Sequence, residues 1–214
     1  MALTGPWGSG KTSILSHPLS TAKSQFSGTY TNGRNLRQMT SATPVNDLLI
    51  EIERALDARL WFLALMGSLT IPDVCCALES DDGETNASRY RAWFDAYVSQ
   101  NYSAPHGGEA VFTGADCWRY RCAILHQGVS QPSRSRYSRV VFVDPDNSNY
   151  LHRNVFDDIL NLDLRTFCLD LIASARQWQV NASQTVTYES NAAKIFRRHP
   201  DGIAPAIGGI AVYG

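Results

Sequence analysis

The sequence predicts an all-α fold, a bundle of four to five helices with a short β-hairpin inserted before the last long helix and disordered ends. Three observations carry that expectation. Apolar residues recur at three- and four-residue steps through most of positions 44 to 180. Helix start and stop signals punctuate those stretches at the right intervals. Strand-like patterning is limited to short segments, Val140–Val143 with Tyr150-Leu151 and an extended piece at Thr185-Val-Thr-Tyr188.

The order predicted to matter begins at Thr43-Pro44, an N-cap followed by proline at the first helical position, with Asp47 in the first turn. Leu48, Leu49, Ile52, Leu56, Leu60, Leu63 and Met66 follow one helical face for about six turns. Trp61, Phe62 and Leu65 broaden that face in its second half, and Glu51, Glu53, Arg54 and Asp57 supply the solvated side. Ile71-Pro72 reads as the start of a short second helix reaching about Leu78 and stopped by Ser80-Asp-Asp-Gly83. Asn86 caps a third, whose Tyr90, Trp93, Phe94 and Tyr97 read as core rather than as a base-stacking surface.

The segment Thr113–Gln127, closed by Gly128, is the most informative. Thr113 is a natural N-cap, Asp116 stands in the first turn, and Gly128 suits the position after the helix. Ala115, Trp118, Cys122 and Leu125 form an apolar stripe flanked by Arg121 and His126. At about 100° per residue those two fall on opposite edges of the stripe, with Arg119 on the side of His126. A guanidinium can clamp a phosphate and an imidazole can pass protons, so the pair is a metal-free kit for phosphodiester chemistry. The plain alternative is a chance spacing on an ordinary helix.

A polar loop follows with Arg134, Arg136 and Arg139, able to touch a phosphate backbone or simply to be solvated. Val140–Val143 and Tyr150-Leu151 read as the two strands of the hairpin, turning at Asp144-Pro-Asp-Asn147. The last long helix is expected from about Val155 to Gln179, on the stripe Phe156, Leu160, Leu164, Phe167, Leu171, Ala175 and Trp178. Residues 181–214 read as a poorly ordered tail with a basic cluster at Arg197-Arg-His199. His106, in the glycine-rich loop 103–108, reads as solvated.

Residues 1–43 are rich in Ser, Thr, Gly and Asn and read as disordered or loosely attached. They contain Gly5-Pro-Trp-Gly-Ser-Gly-Lys11-Thr12, a literal match to the phosphate-cradling P-loop pattern. Only four residues precede it where a buried strand is needed, and Pro18 breaks the helix that should follow. A nucleotide-hydrolase reading, with Val140–Asp144 as the second motif, lacks the alternating strands and helices between the two.

Composition narrows the classes further. The 214 residues carry a net charge of −1, so any nucleic-acid contact has to come from a local patch. Five cysteines without regular spacing read as free thiols, which fits a cytoplasmic setting, with Cys122 and Cys168 as small core residues. No metal-ligand spacing is present and no cofactor is expected. The sequence shows no apolar run of membrane-spanning length and no signal-peptide core, so no membrane partner is expected.

The helix order over residues 44 to 180 and the run Trp118-Arg-Tyr-Arg121-Cys-Ala-Ile-Leu-His126-Gln-Gly128 resemble the HEPN superfamily, all-α domains that carry Arg-x4-His near the end of a long helix. The resemblance implies a helical bundle that forms a homodimer along the Thr113–Gln127 helix. It also implies metal-independent cleavage of RNA in a toxin–antitoxin or phage-defence role, with an antitoxin or other defence protein as partner. Arg121 would then hold the scissile phosphate and His126 would act as general acid or base, with Arg119, Gln127, Arg134 and Arg136 contacting the substrate. The family often places Asn directly after the Arg where this chain has Cys122. Some HEPN domains keep the fold and only bind, so a catalytically silent module binding a protein, RNA or nucleotide is the alternative.

Overall fold

The computed structural model describes residues 43–103, 111–132 and 135–214, all within the unit Thr40–Gly214. The P-loop-like Gly5–Thr12, the rest of the polar leader up to residue 42, His106 and Arg134 lie outside the described residues. The described part is mostly helical, with six α-helices and three small sheets.

Helix α1 (Pro44–Asp57) buries Val45, Leu49, Ile52 and Leu56. The sequence pattern carries this helix on to Met66, but the chain breaks at Ala58–Leu60. Arg59 adopts φ 56°, its N–H donates to the Leu56 carbonyl, and the Leu60 N–H reaches back to Ala55. This is a Schellman closure with arginine in the left-handed position that glycine usually takes. Helix α2 (Trp61–Glu79) then runs unbroken through Pro72, absorbing the short helix expected at Ile71. The proline is tolerated because α2 is the central helix, packed against α1, α3 (Ala87–Tyr97), α4 (Gly114–Cys122), α5 (Leu164–Ala182) and α6 (Val186–Ala192). Tertiary burial outweighs a local helix-breaking preference.

That position also explains its composition. By length and mean hydropathy (1.6), α2 meets the measure of a membrane span, contrary to the expectation that no such run exists. A helix that is apolar on all sides is also what a core position demands, and 56% of the apolar window is buried within the domain.

Helix α3 starts at Asn86, whose side chain accepts from the Ser88 and Arg89 N–H groups as the sequence predicts. Tyr90, Trp93 and Phe94 are buried. They join Tyr102, Phe112, Tyr120, Phe167 and Trp178 in an aromatic core of edge-to-face and tilted pairs.

The sheet region departs from the expected hairpin. Strand β1 (Arg139–Val143) pairs in parallel with β3 (Ile159–Asp163), and β2 (Asn154–Phe156) lies antiparallel on the other side of β3. The tight turn is at Asp157–Asp158, with φ 47° and 64°, and it joins β2 to β3. Two successive left-handed residues make the turn whose twist matches a hairpin, and aspartate tolerates them. Phe156 and Leu160, expected on the last helix, are therefore strand residues. Helix α5 begins at Leu164, with Asp163 accepting from the Thr166 N–H at 2.7 Å.

His152 packs between Tyr102 and Tyr150 and accepts from the Asp163 N–H through Nδ1 at 3.2 Å. Burial, with Arg153 adding to it, lowers its pKa from the ordinary 6.5. The folded state then prefers the neutral ring, so the associated stability is present above pH 6.5 and is lost as pH falls toward the lowered value. His152→Asn is expected to flatten the fall in urea midpoint between about pH 7 and 5; an unchanged slope would count against this account.

The tail predicted after residue 180 is instead structured. Thr185 caps α6, Tyr188 is buried against Trp178, and Asn191 donates to the Ala77, Leu78 and Ser80 carbonyls at the end of α2. Polar satisfaction of a helix end, rather than an apolar stripe, docks this segment, which is why periodicity did not register it. Two small strand pairs follow: β4 (Arg198–His199) with β7 (Val212–Tyr213), and β5 (Gly202–Ile203) with β6 (Ile207–Gly208).

Candidate active site

Helix α4 is fixed first at its start. Thr113 Oγ1 accepts from the Asp116 N–H, and Asp116 Oδ2 accepts from Thr113 N and Oγ1, completing a capping box. The Gly114 N–H donates to Asp95 Oδ1 at 2.7 Å, and a Cβ at Gly114 would run into the Arg91 backbone carbonyl. Glycine is required by that close crossing of α4 over α3.

The buried face of α4 is not the predicted stripe. Cys117, Tyr120 and Ala123 face the core, while Ala115, Trp118, Cys122 and Leu125 are all half-buried. Tyr90 sets this rotation. Its hydroxyl donates to the Leu69 carbonyl and contacts the Cys117 sulfur, and its ring meets Trp118 edge-on at 5.1 Å.

Trp118 in turn lies under the Arg121 guanidinium, 5.1 Å from its ring centre. Arg121 Nε donates to Asp73 Oδ2 at 2.8 Å. Asp73 projects from α2, and its second oxygen accepts from Thr85 Oγ1 at 3.3 Å. Both partners are largely covered, with the Arg121 and Asp73 side chains 16% and 11% exposed. Burial pushes the Asp73 carboxyl above its ordinary range, and the charge of Arg121 opposes the rise. For Arg121 burial works against the cation, but Asp73 outweighs it and holds the guanidinium above its usual value.

The helix changes pitch just past Arg121. Residues Ala123–Gln127 form one π turn, closed by Gly128 at φ 67° with the Val129 N–H on the Ala123 carbonyl. An α-helix puts residues five apart on different faces, whereas a turn bonded from i to i+5 stacks them. Arg121 Nη1 accordingly sits 2.7 Å from His126 Nε2. The expectation of a wide angular gap between Arg121 and His126 is thus corrected. The pair meets within one chain, on an exposed surface on the His126 side.

A guanidinium only donates, so Nε2 has to accept and the ring in this contact is the neutral tautomer with its proton on Nδ1. Arg121 links a buried carboxylate on one side to a surface imidazole on the other. A cavity of about 290 Å³ adjoins Asp73 and is lined also by Thr85, Gly83, Asn191 and Lys194.

The other predicted contacts are not gathered at this pair. Arg119 turns toward Asp116, at 3.9 Å, rather than toward His126. Gln127 is exposed at the end of the π turn. Arg136 is exposed, with its guanidinium 5.6 Å from the Tyr137 ring centre. All five cysteines are free thiols; Cys168 is buried and Cys122 half-buried. Among the described residues no cluster of three or more His, Cys, Asp or Glu is arranged to hold a metal ion.

Asp73 and Thr85 are the residues that helix spacing did not reveal. A signal existed for Asp73, a carboxylate inside the apolar run Ile71–Leu78, because such a group has to find a partner when buried. Comparisons with protein-family models, curated proteins and solved structures gave no match to the chain.

Proposed function

We propose that the chain is a HEPN-like, metal-independent endoribonuclease with a toxin or phage-defence role. The observation that carries this reading is the 2.7 Å contact between Arg121 Nη1 and His126 Nε2. It joins a phosphate-binding cation and a proton acceptor within the reach of one phosphodiester. An incoming phosphate competes for the Nη1 donor, and its binding frees the Nε2 lone pair. The imidazole then takes the proton of the ribose 2′-OH as that oxygen attacks phosphorus. The bond from phosphorus to the 5′-oxygen breaks, leaving a 2′,3′-cyclic phosphate and a 5′-hydroxyl that receives a proton. Arg121 balances the charge that builds on the phosphoryl oxygens.

Homodimerisation along α4 is part of the proposal. The half-buried Ala115, Trp118, Cys122 and Leu125 would form the seam, and a second copy's His126, as the imidazolium released from its own Arg121, would give its proton to the leaving oxygen and return to the neutral ring. Gln127, Arg134 and Arg136 are proposed to contact flanking phosphates. Arg119, already turned to Asp116, is left a minor role. No cofactor is invoked, and an antitoxin partner belongs to the same reading.

A second reading has its own observation. The Arg121–Asp73 bond, with both side chains largely covered, could serve stability alone, leaving a silent module that binds RNA, nucleotide or protein. Induced expression of wild type, Arg121→Ala and His126→Ala separates the two. Growth arrest with fragmented cellular RNA is expected from wild type only. Intact RNA and equal growth in all three would leave the silent module.

A further inference from the structure

We propose that the C-terminal strand pair β4–β7 carries a binding platform for single-stranded RNA, built from the rings of Phe196 and Tyr213 and the cations Arg197 and Arg198. RNA is chosen over DNA on the strength of the ribonuclease reading; the platform itself rests on independent geometry.

The two rings stack on each other, with centres 6.0 Å apart and planes within 23°. Their other surfaces face outward, leaving Phe196 73% and Tyr213 65% exposed. Aromatic side chains of this size are normally covered, and an exposed stacked pair offers a face on which a base can continue the stack. The register fixes what surrounds them. Arg198 pairs with Tyr213 across the strands, and Arg197 exchanges backbone hydrogen bonds with Gly214, so both guanidinium-bearing residues flank the rings. Neither guanidinium has a hydrogen-bond or ion-pair partner among the described residues. By contrast, nearby Arg54 is held by Glu51 at 2.6 Å.

Beside the rings lies a groove of about 500 Å³, lined also by Pro44, Ile50 and Pro200. Asp47 and Glu51 line its α1 wall. The backbone of a bound strand therefore runs along the arginine side while bases occupy the ring side. Stacking plus unpaired cations, without a ladder of base-edge contacts, gives sequence-tolerant binding of single strands.

The test uses the full chain with His126→Ala, so that the probe, a fluorescein-labelled 20-nucleotide single-stranded RNA, is not cut. Fluorescence anisotropy is expected to give saturable binding. Adding Phe196→Ala and Tyr213→Ala is expected to weaken it at least about tenfold, each base–aromatic stack being worth roughly fivefold or more. Phe196→Trp preserves a stacking face and is expected to retain the affinity, which separates stacking from a folding defect. Arg197→Gln with Arg198→Gln is expected to reduce the slope of log affinity against log salt by about 1.4. Absence of binding by the intact-platform protein overturns the proposal, as does binding that ignores the ring and arginine substitutions. The face would then belong to a protein partner. Tighter binding of the DNA of the same sequence overturns the RNA assignment. Because binding is read without cleavage, a platform that binds in a protein that never cuts RNA would sink the nuclease reading alone.

Discussion

His126→Ala is expected to lower RNA cleavage in vitro by about 10²–10⁴-fold, the usual contribution of a positioned general acid or base. Its unfolding midpoint is expected to stay within about 2 °C of wild type, since substitution of an exposed side chain generally changes stability little. Cleavage is read on a labelled RNA with a metal chelator present, by product sizing and by detection of the cyclic phosphate. His126→Gln can still accept a hydrogen bond from Arg121 but cannot carry the proton, and it is expected to be as inactive as alanine. Residual cleavage near wild type in both variants would remove His126 from the chemistry.

Asp73→Ala is expected to act on stability instead. It leaves the Arg121 cation largely covered and without its counter-charge, at a cost of about 3 kcal/mol, the lower end for breaking a buried pair. For a domain of this size that corresponds to a midpoint lower by roughly 6–12 °C. Asp73→Ala combined with Arg121→Met is expected to recover most of the loss, because the penalty comes from the stranded charge and not from the pair's net worth.

What the sequence made legible was local. Thr113, Asp116 and Gly128 mark the ends of the helical segment that carries the site, and Asn86 marks the start of α3, because capping is written in consecutive residues. The break between α1 and α2 was hidden, since Arg59 fills a position where glycine would have announced it. Pairing of β1 with β3 escaped because parallel partners stand twenty positions apart, joined by a segment that itself looks like strand and turn. Asp73 is forty-eight positions from Arg121, and nothing in the spacing of either residue encodes the other. The choice between the half-covered stripe and the buried face of α4 was made by Tyr90, on a different helix.

The π turn has a consequence for how a site of this kind arises and is lost. A π turn is an α-helix with one residue too many, an insertion that the backbone accommodates locally instead of passing down the chain. Whether Arg121 and His126 cooperate is therefore set by helical pitch as much as by side-chain identity. A lineage that drops a single residue between them returns the segment to α-helical pitch with the two residues four apart, still on one face, so the contact survives. A lineage that keeps the length but straightens the turn to regular α pitch separates them by about 140°, and its loss of function would leave no mark on the two residues themselves.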